Sequence, residues 1–196
     1  MTRNILIAGV GGQGTVLASR LIASAAMKRG FDVRTTETIG MAQRGGSVIG
    51  HTRIGDDIFS PMIPLGGAQT LLAFEPAEAV RNIGYLAEHG TLIVCDSGIK
   101  PITVALAAEP YEAEKINEYL RANFADAIIV NGDYLKEQCG KTLNVALLGV
   151  AVQSGAFPFD ADAIKEVIEE MPRYSERNLA SYELGRKTYD EYIRQH

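Results

Sequence analysis

The residues in this sequence that could do chemistry are first of all glycines. Gly9-Val10-Gly11-Gly12-Gln13-Gly14 fits the G-x-G-x-x-G pattern. In such a loop Gly9 allows a tight turn, Gly11 lets another backbone approach closely, and Gly14 permits close helix–strand packing. The N–H groups at the start of the following helix, together with its dipole, favour an anion. A phosphate-bearing ligand is the chemistry this loop suits. A second glycine segment, Gln43-Arg44-Gly45-Gly46-Ser47, follows about 30 residues later. Arg44 offers a planar fork to a carboxylate or phosphate. Two adjacent glycines leave backbone N–H groups accessible, as in an anion-binding nest. Glu37 is placed to orient Arg44 by an ion pair, and Thr36 or Thr38 to donate hydrogen bonds nearby. The candidate cofactor-binding set is therefore Gly9, Gly11, Gly12, Gln13, Gly14, Arg44, Gly45, Gly46 and Ser47.

A dinucleotide site would need an acidic residue about 20 positions on, at the end of the second strand. Asp32 has the distance but begins that strand, and Glu37 comes late. An independent NAD(P)-binding oxidoreductase is thus one alternative. A non-catalytic scaffold module, whose glycines only permit close packing, is another. No catalytic constellation is visible. His51 alternates with Ile49 and Arg53 on a strand and reads as a satisfied structural group, while His89 and His196 read as solvent-facing. No Ser/His/Asp or Cys/His pairing and no carboxylate-rich metal spacing occurs. Cys95 and Cys139 are the two cysteines of the chain. They suit buried, inert thiols, and two thiolates fall short of the four that an iron–sulfur cubane requires.

The elements that must position the glycines follow from the apolar pattern. Asn4–Val10 is a short continuous apolar run, as in a buried parallel strand. Residues 12–30 read as a helix with a broad apolar face ended by Gly30, and Asp32–Thr38 as a β-branched strand. This is a Rossmann-like βαβ opening. The spacing then predicts a strand over Ser47–Ile54, a strand over Thr70–Phe74 and a helix over Pro76–Glu88 stopped by Gly90. It continues with a strand over Thr91–Asp96, a helix over Tyr111–Phe124 and a strand over Ala127–Asn131. Three C-terminal helices are expected: Leu143–Ser154, strongly apolar; Asp160–Glu170, with Asp160 as N-cap; and Ser175–Gln195, with Leu179, Tyr182, Tyr189 and Ile193 on one side. The predicted class is a three-layer α/β fold with a largely parallel or mixed sheet, residues 1–196 forming one domain. In an open α/β sheet both glycine loops lie at the carboxyl edge.

The 196 residues carry 24 acidic against 19 basic side chains, a formal charge of −5, which argues against a nucleic-acid partner. The first residues enter an apolar strand without the features of a signal peptide. The longest apolar run, Val145–Val152, is too short to span a bilayer. A cytoplasmic protein without a membrane partner is expected.

Taken together, these motifs resemble the gamma-type domain of 2-oxoacid:ferredoxin oxidoreductases. The resemblance rests on both glycine segments, on Ser60-Pro61 with Ile63-Pro64, and on Leu72-Ala73-Phe74-Glu75-Pro76-Ala77-Glu78-Ala79. It extends through the segments Asn144 to Gly149 and Asn178 to Gly185, so it covers nearly the whole chain. One departure is Gln69, where the family often has aspartate. Within the family the chain is most similar to small subunits that act with a large alpha subunit on arylpyruvates such as indolepyruvate. The resemblance implies that the alpha subunit carries thiamine diphosphate, magnesium and [4Fe-4S] clusters. It also implies oxidative decarboxylation to acyl-CoA, with ferredoxin as indirect electron acceptor. The glycine loops would then face coenzyme A, the substrate carboxylate or the partner's cofactor region, with coenzyme A preferred. No catalytic residue and no metal ligand is expected on this chain.

Overall fold

A computed structural model describes residues 2–40, 45–99 and 111–195. Six strands form one sheet: β1 (Arg3–Val10), β2 (Val33–Ile39), β3 (Ser47–Ile54), β4 (Ala68–Ala73), β5 (Leu86–Cys95) and β6 (Ile128–Val130). Their order is β2-β3-β1-β4-β5-β6. β1, β4, β5 and β6 are mutually parallel neighbours, whereas β3 runs antiparallel between β1 and β2. The sheet is therefore mixed, and the βαβ opening holds with a strand inserted at its centre. β2 still points the same way as β1 across β3.

The helices are α1 (Thr15–Lys28), α2 (Pro76–Asn82), α3 (Ala113–Asn123), α4 (Gly132–Cys139), α5 (Leu143–Gln153), α6 (Ala161–Glu169) and α7 (Ser175–Gln195). Several boundaries follow directly from local chemistry. Pro76 opens α2 behind Glu75, whose carboxylate accepts from the Glu78 N–H at 2.9 Å. Asp160 caps α6 by accepting from Ala163 N–H at 2.9 Å. Gly30, at φ 82°, ends α1. The expected helix over Pro76–Glu88 is shorter. It stops at Asn82, a single 3-10 turn spans Ile83–Tyr85, and β5 has begun by Leu86. Gly90 lies inside β5 rather than after a helix. There β5 bulges against β4, and a Cβ at Gly90 would sit 2.8 Å from the Ala68 carbonyl oxygen.

Two apolar cores flank the sheet. Ile5, Ile7, Leu72 and Ile93 face α1, α5 and α6, while Leu6, Ala8, Leu71 and Val94 face the α2–α3 side. α5 is buried from Asn144 through Val152, as befits a helix that is apolar all round. α7 crosses it, with Tyr182 fully buried and its hydroxyl donating to Ala161 O at 2.8 Å. Ile193, expected on the same side, is 54% exposed near the end of α7. Among the described residues no helix is long and apolar enough to cross a membrane.

Because β1, β4, β5 and β6 are parallel and β3 is reversed, the ends of four strands and the start of β3 share one edge. The loops after Val10, Ala73, Cys95 and Val130 meet there, together with Gly45-Gly46 before β3.

Candidate functional site

The two glycine segments are in direct contact. Gly11 N–H donates to Gly46 O at 2.8 Å, and Gly45 N–H donates to Gly11 O at 3.2 Å. These two amides are committed to each other's loop, so this part of the edge is a backbone clasp. Gln13 fastens it to the sheet. Its side-chain oxygen accepts from Val10 N–H, and its side-chain N–H donates to Phe74 O, both at 2.8 Å. The clasp therefore joins the ends of β1 and β4 to the start of β3.

Ser47 turns away from the first loop. Its hydroxyl donates to Glu78 Oε2 at 2.6 Å. Glu78 is fully buried, pairs with Arg81, and lies beside the equally buried Glu75, which accepts from the Tyr111 hydroxyl. This acidic surround is unsuited to an anion. Arg44, with Gln43, falls outside the described residues, as does the proposed Glu37–Arg44 pair.

Gly12, Gln13 and Gly14 instead line a cleft on the other side of the loop, reached through two adjoining cavities of about 180 and 570 Å³. Gly12 and Gly14 have φ values of 101° and 81°, conformations that only glycine adopts at little cost. Gly14 is also pressed against Asn144: a Cβ there would lie 2.5 Å from Asn144 Nδ2. Asn144, itself buried, donates that N–H to Gly14 O at 3.2 Å and so ties the start of α5 to the start of α1.

Both helices present their N-termini to this cleft. Neither α1 nor α5 has a side-chain cap or an acidic residue in its first turn. Each therefore directs partial positive charge at the cleft. Three cations join them: Lys136 on α4, Lys141 in the 3-10 turn Gly140–Thr142, and Arg177 on α7. Arg177 is held over that turn by donating to Cys139 O at 3.0 Å. In a chain of net charge −5, two helix starts and three cations around one cleft give it a local positive potential suited to an anion. The inner cavity adds apolar walls from Phe74, Ile99, Leu143 and Leu147.

Of the candidate residues, then, Gly12, Gln13 and Gly14 reach the cleft, whereas Gly11, Gly45, Gly46 and Ser47 support it. Gly9 lies beneath the loop, where a Cβ would meet Thr15 and Gln13 within 3 Å. Lys136, Lys141 and Arg177 belong to none of the motifs read from the sequence, and Asn144 enters there only as the first residue of a family-like segment. Gly140-Lys141-Thr142 ahead of an apolar helix was the available signal.

The remaining polar residues behave structurally. His51 is buried, and its Nδ1 accepts from Ile63 N–H at 3.3 Å. It packs edge-on against Tyr85, and burial lowers its pKa. Both cysteines are buried and free, and burial pushes the Cys95 thiol up to about 12. Among the described residues no group of three or more His, Cys, Asp or Glu side chains could hold a metal. Gln69 bridges Asn4 N–H and Gly67 O at the opposite, amino edge of the sheet, so its departure from the family pattern leaves the cleft untouched.

Over residues 4–188 the sequence matches the family model of the pyruvate ferredoxin/flavodoxin oxidoreductases, and the chain belongs to that family. It is 37% identical over 196 residues to indolepyruvate oxidoreductase subunit IorB of Pyrococcus horikoshii, with 97% of each chain covered. The Archaeoglobus fulgidus protein of the same name is 39% identical over 190 residues, with 94% of each covered. In fold it is similar to pyruvate oxidoreductase subunit PORC of Thermotoga maritima, at a TM-score of 0.69, 23% identity and 96% coverage of both chains. It is also similar to 2-oxoglutarate:ferredoxin oxidoreductase of Magnetococcus marinus, solved with 2-oxoglutarate, coenzyme A and succinyl-CoA bound. There the TM-score is 0.71 at 17% identity, covering 97% of this chain and 31% of that one.

Proposed function

We propose that this chain, as one gamma-type domain over residues 1–196, is the small subunit of a cytoplasmic 2-oxoacid:ferredoxin oxidoreductase acting on an arylpyruvate such as indolepyruvate. The substrate class is that named for relatives 34–39% identical to it. In the reaction a 2-oxoacid loses carbon dioxide, its acyl group passes to the thiol of coenzyme A, and two electrons go to ferredoxin. The thiamine diphosphate, magnesium and iron–sulfur centres that this chemistry uses belong to the large alpha subunit. The donor set here agrees with that division: two buried cysteines, Cys95 and Cys139, do not fit a four-thiolate cluster.

The contribution of this chain is to bind coenzyme A. The observation that carries the reading is the convergence of two uncapped helix N-termini with Lys136, Lys141 and Arg177 on one cleft. Coenzyme A carries a pyrophosphate and a ribose phosphate, and phosphates suit such a cleft. Gly12 and Gly14 let the ligand approach the backbone, and Asn144 and Gln13 keep the loop in place. The clasp from Gly45 and Gly46, anchored through Ser47 to Glu78, holds the loop from behind.

The test is steady-state kinetics of the complex reconstituted with the large subunit. Lys141→Ala and Arg177→Ala should each raise KM for coenzyme A by about 10- to 100-fold, the range of a lost charge-assisted hydrogen bond. KM for the 2-oxoacid should hold. If both variants keep the wild-type KM for coenzyme A, the cleft does not bind it.

A further inference from the structure

Tyr174 stands immediately before α7 on the rim of the larger cavity, beside Arg177 and Asn178. Its backbone is left-handed, at φ 61°. For a bulky side chain this region is sterically costly, and glycine or asparagine would occupy it more cheaply. The conformation is fixed from the helix side, since Asn178 N–H donates to Tyr174 O at 2.9 Å. Burial does not compensate for it, because Tyr174 is 74% exposed. An aromatic ring is thus held in a strained conformation, uncovered, at the mouth of a cationic cleft. Strain retained without a packing gain marks sites where the side chain serves a ligand.

Position narrows the ligand. Tyr174 and Arg177 line the same cavity. Whatever lies on the ring is therefore next to a guanidinium and close to Lys141, which lines the same cavity. A flat base attached to phosphates meets both demands, stacking on the phenol while its phosphates reach the cations. Building on the reading of the cleft as a coenzyme A site, we propose that Tyr174 is the stacking platform for the adenine of the coenzyme A nucleotide. It is a specificity-determining residue that favours the complete cofactor over its thiol arm.

The experiment uses the complex reconstituted with the large subunit and compares coenzyme A with 4′-phosphopantetheine, which has the thiol arm but no adenosine. Tyr174→Gly should raise KM for coenzyme A by roughly 5- to 150-fold, the range of one base–aromatic stack. It should leave KM for 4′-phosphopantetheine unchanged. The same variant, relieved of its left-handed strain, should keep its Tm or gain about 2–4 °C. Tyr174→Phe, which keeps the ring, should retain the wild-type KM for coenzyme A. An unchanged KM for coenzyme A in Tyr174→Gly overturns the proposal. If Lys141→Ala still raises that KM, the cleft stands and only the stacking role falls. If neither variant moves it, the coenzyme A reading falls as well. Loss of complex assembly in Tyr174→Gly also overturns it, because the ring would then be a subunit contact.

Discussion

Gly185→Ala should wedge α7 away from α5 and weaken both the fold and the cleft. An alanine Cβ at position 185 would sit 1.8 Å from the carbonyl oxygen of Ala146 on α5, and 2.7 Å from the carbonyl carbon. Ordinary contact needs about 3.5 Å, so the helices must separate by something like 1.5 Å. No rotamer relieves this, since both partners are backbone or Cβ. The reciprocal contact is equally tight: a Cβ at Gly149 would lie 2.1 Å from Tyr182 O. α5 is buried on every side, so a shift of it disturbs packing toward the sheet as well. Overpacking of a core costs about 1–3 kcal/mol and occasionally more, and a backbone obstacle belongs at the top of that range. For a chain of this length about 3 kcal/mol lowers Tm by roughly 6–12 °C. Glycine-to-alanine exchange inside an unobstructed helix instead stabilises by about 1 kcal/mol. The sign of the change is therefore diagnostic. Thermal unfolding followed by far-ultraviolet circular dichroism reads it directly. KM for coenzyme A should rise with it, because Asn144 and Arg177 sit on the two displaced helices. A Tm equal to or above wild type would refute the argument that backbone contact sets this helix crossing.

Two further outcomes follow from burial. Neither Cys95 nor Cys139 should react with a water-soluble thiol reagent over minutes in the native chain, and both should react once it is unfolded. Rapid labelling of one thiol in the folded protein would contradict this. His51 is held below its ordinary pKa by burial, so the unfolded chain takes up its proton first as pH falls. The stability it contributes is complete above about pH 6.5 and declines below it, by at most ~1.4 kcal/mol per pH unit. Urea unfolding between pH 5 and 7 should show this slope, reduced in His51→Gln; an equal slope in both proteins would assign the effect elsewhere.

Much of the fold was readable from local pattern. Local pattern bounds β3 at Ser47–Ile54 and α7 at Ser175–Gln195 and marks Asp160 as a cap, because periodicity and capping are short-range properties. Local pattern overextends the helix after Pro76. Its apolar spacing continues through Leu86, but pairing of β5 with β4 overrides helix preference there. The insertion of β3 between β1 and β2 was not readable at all, since strand order depends on contacts distant in the chain.

The candidate site divides along the same line. The sequence by itself determined that a glycine loop follows β1 and opens α1, that a second glycine pair precedes β3, and that this chain lacks the cysteines for a cluster. These depend on residue type and near neighbours. Tertiary structure alone decided what each glycine does. Gly11, Gly45 and Gly46 form a backbone clasp, and of the two glycine loops it is Gly12 and Gly14 that line the cleft. It also brought Lys136, Lys141 and Arg177, from three separate elements, to residues more than 120 positions earlier in the chain. An anion site is a sum of fields over a few ångströms of space, and sequence distance carries no information about that sum.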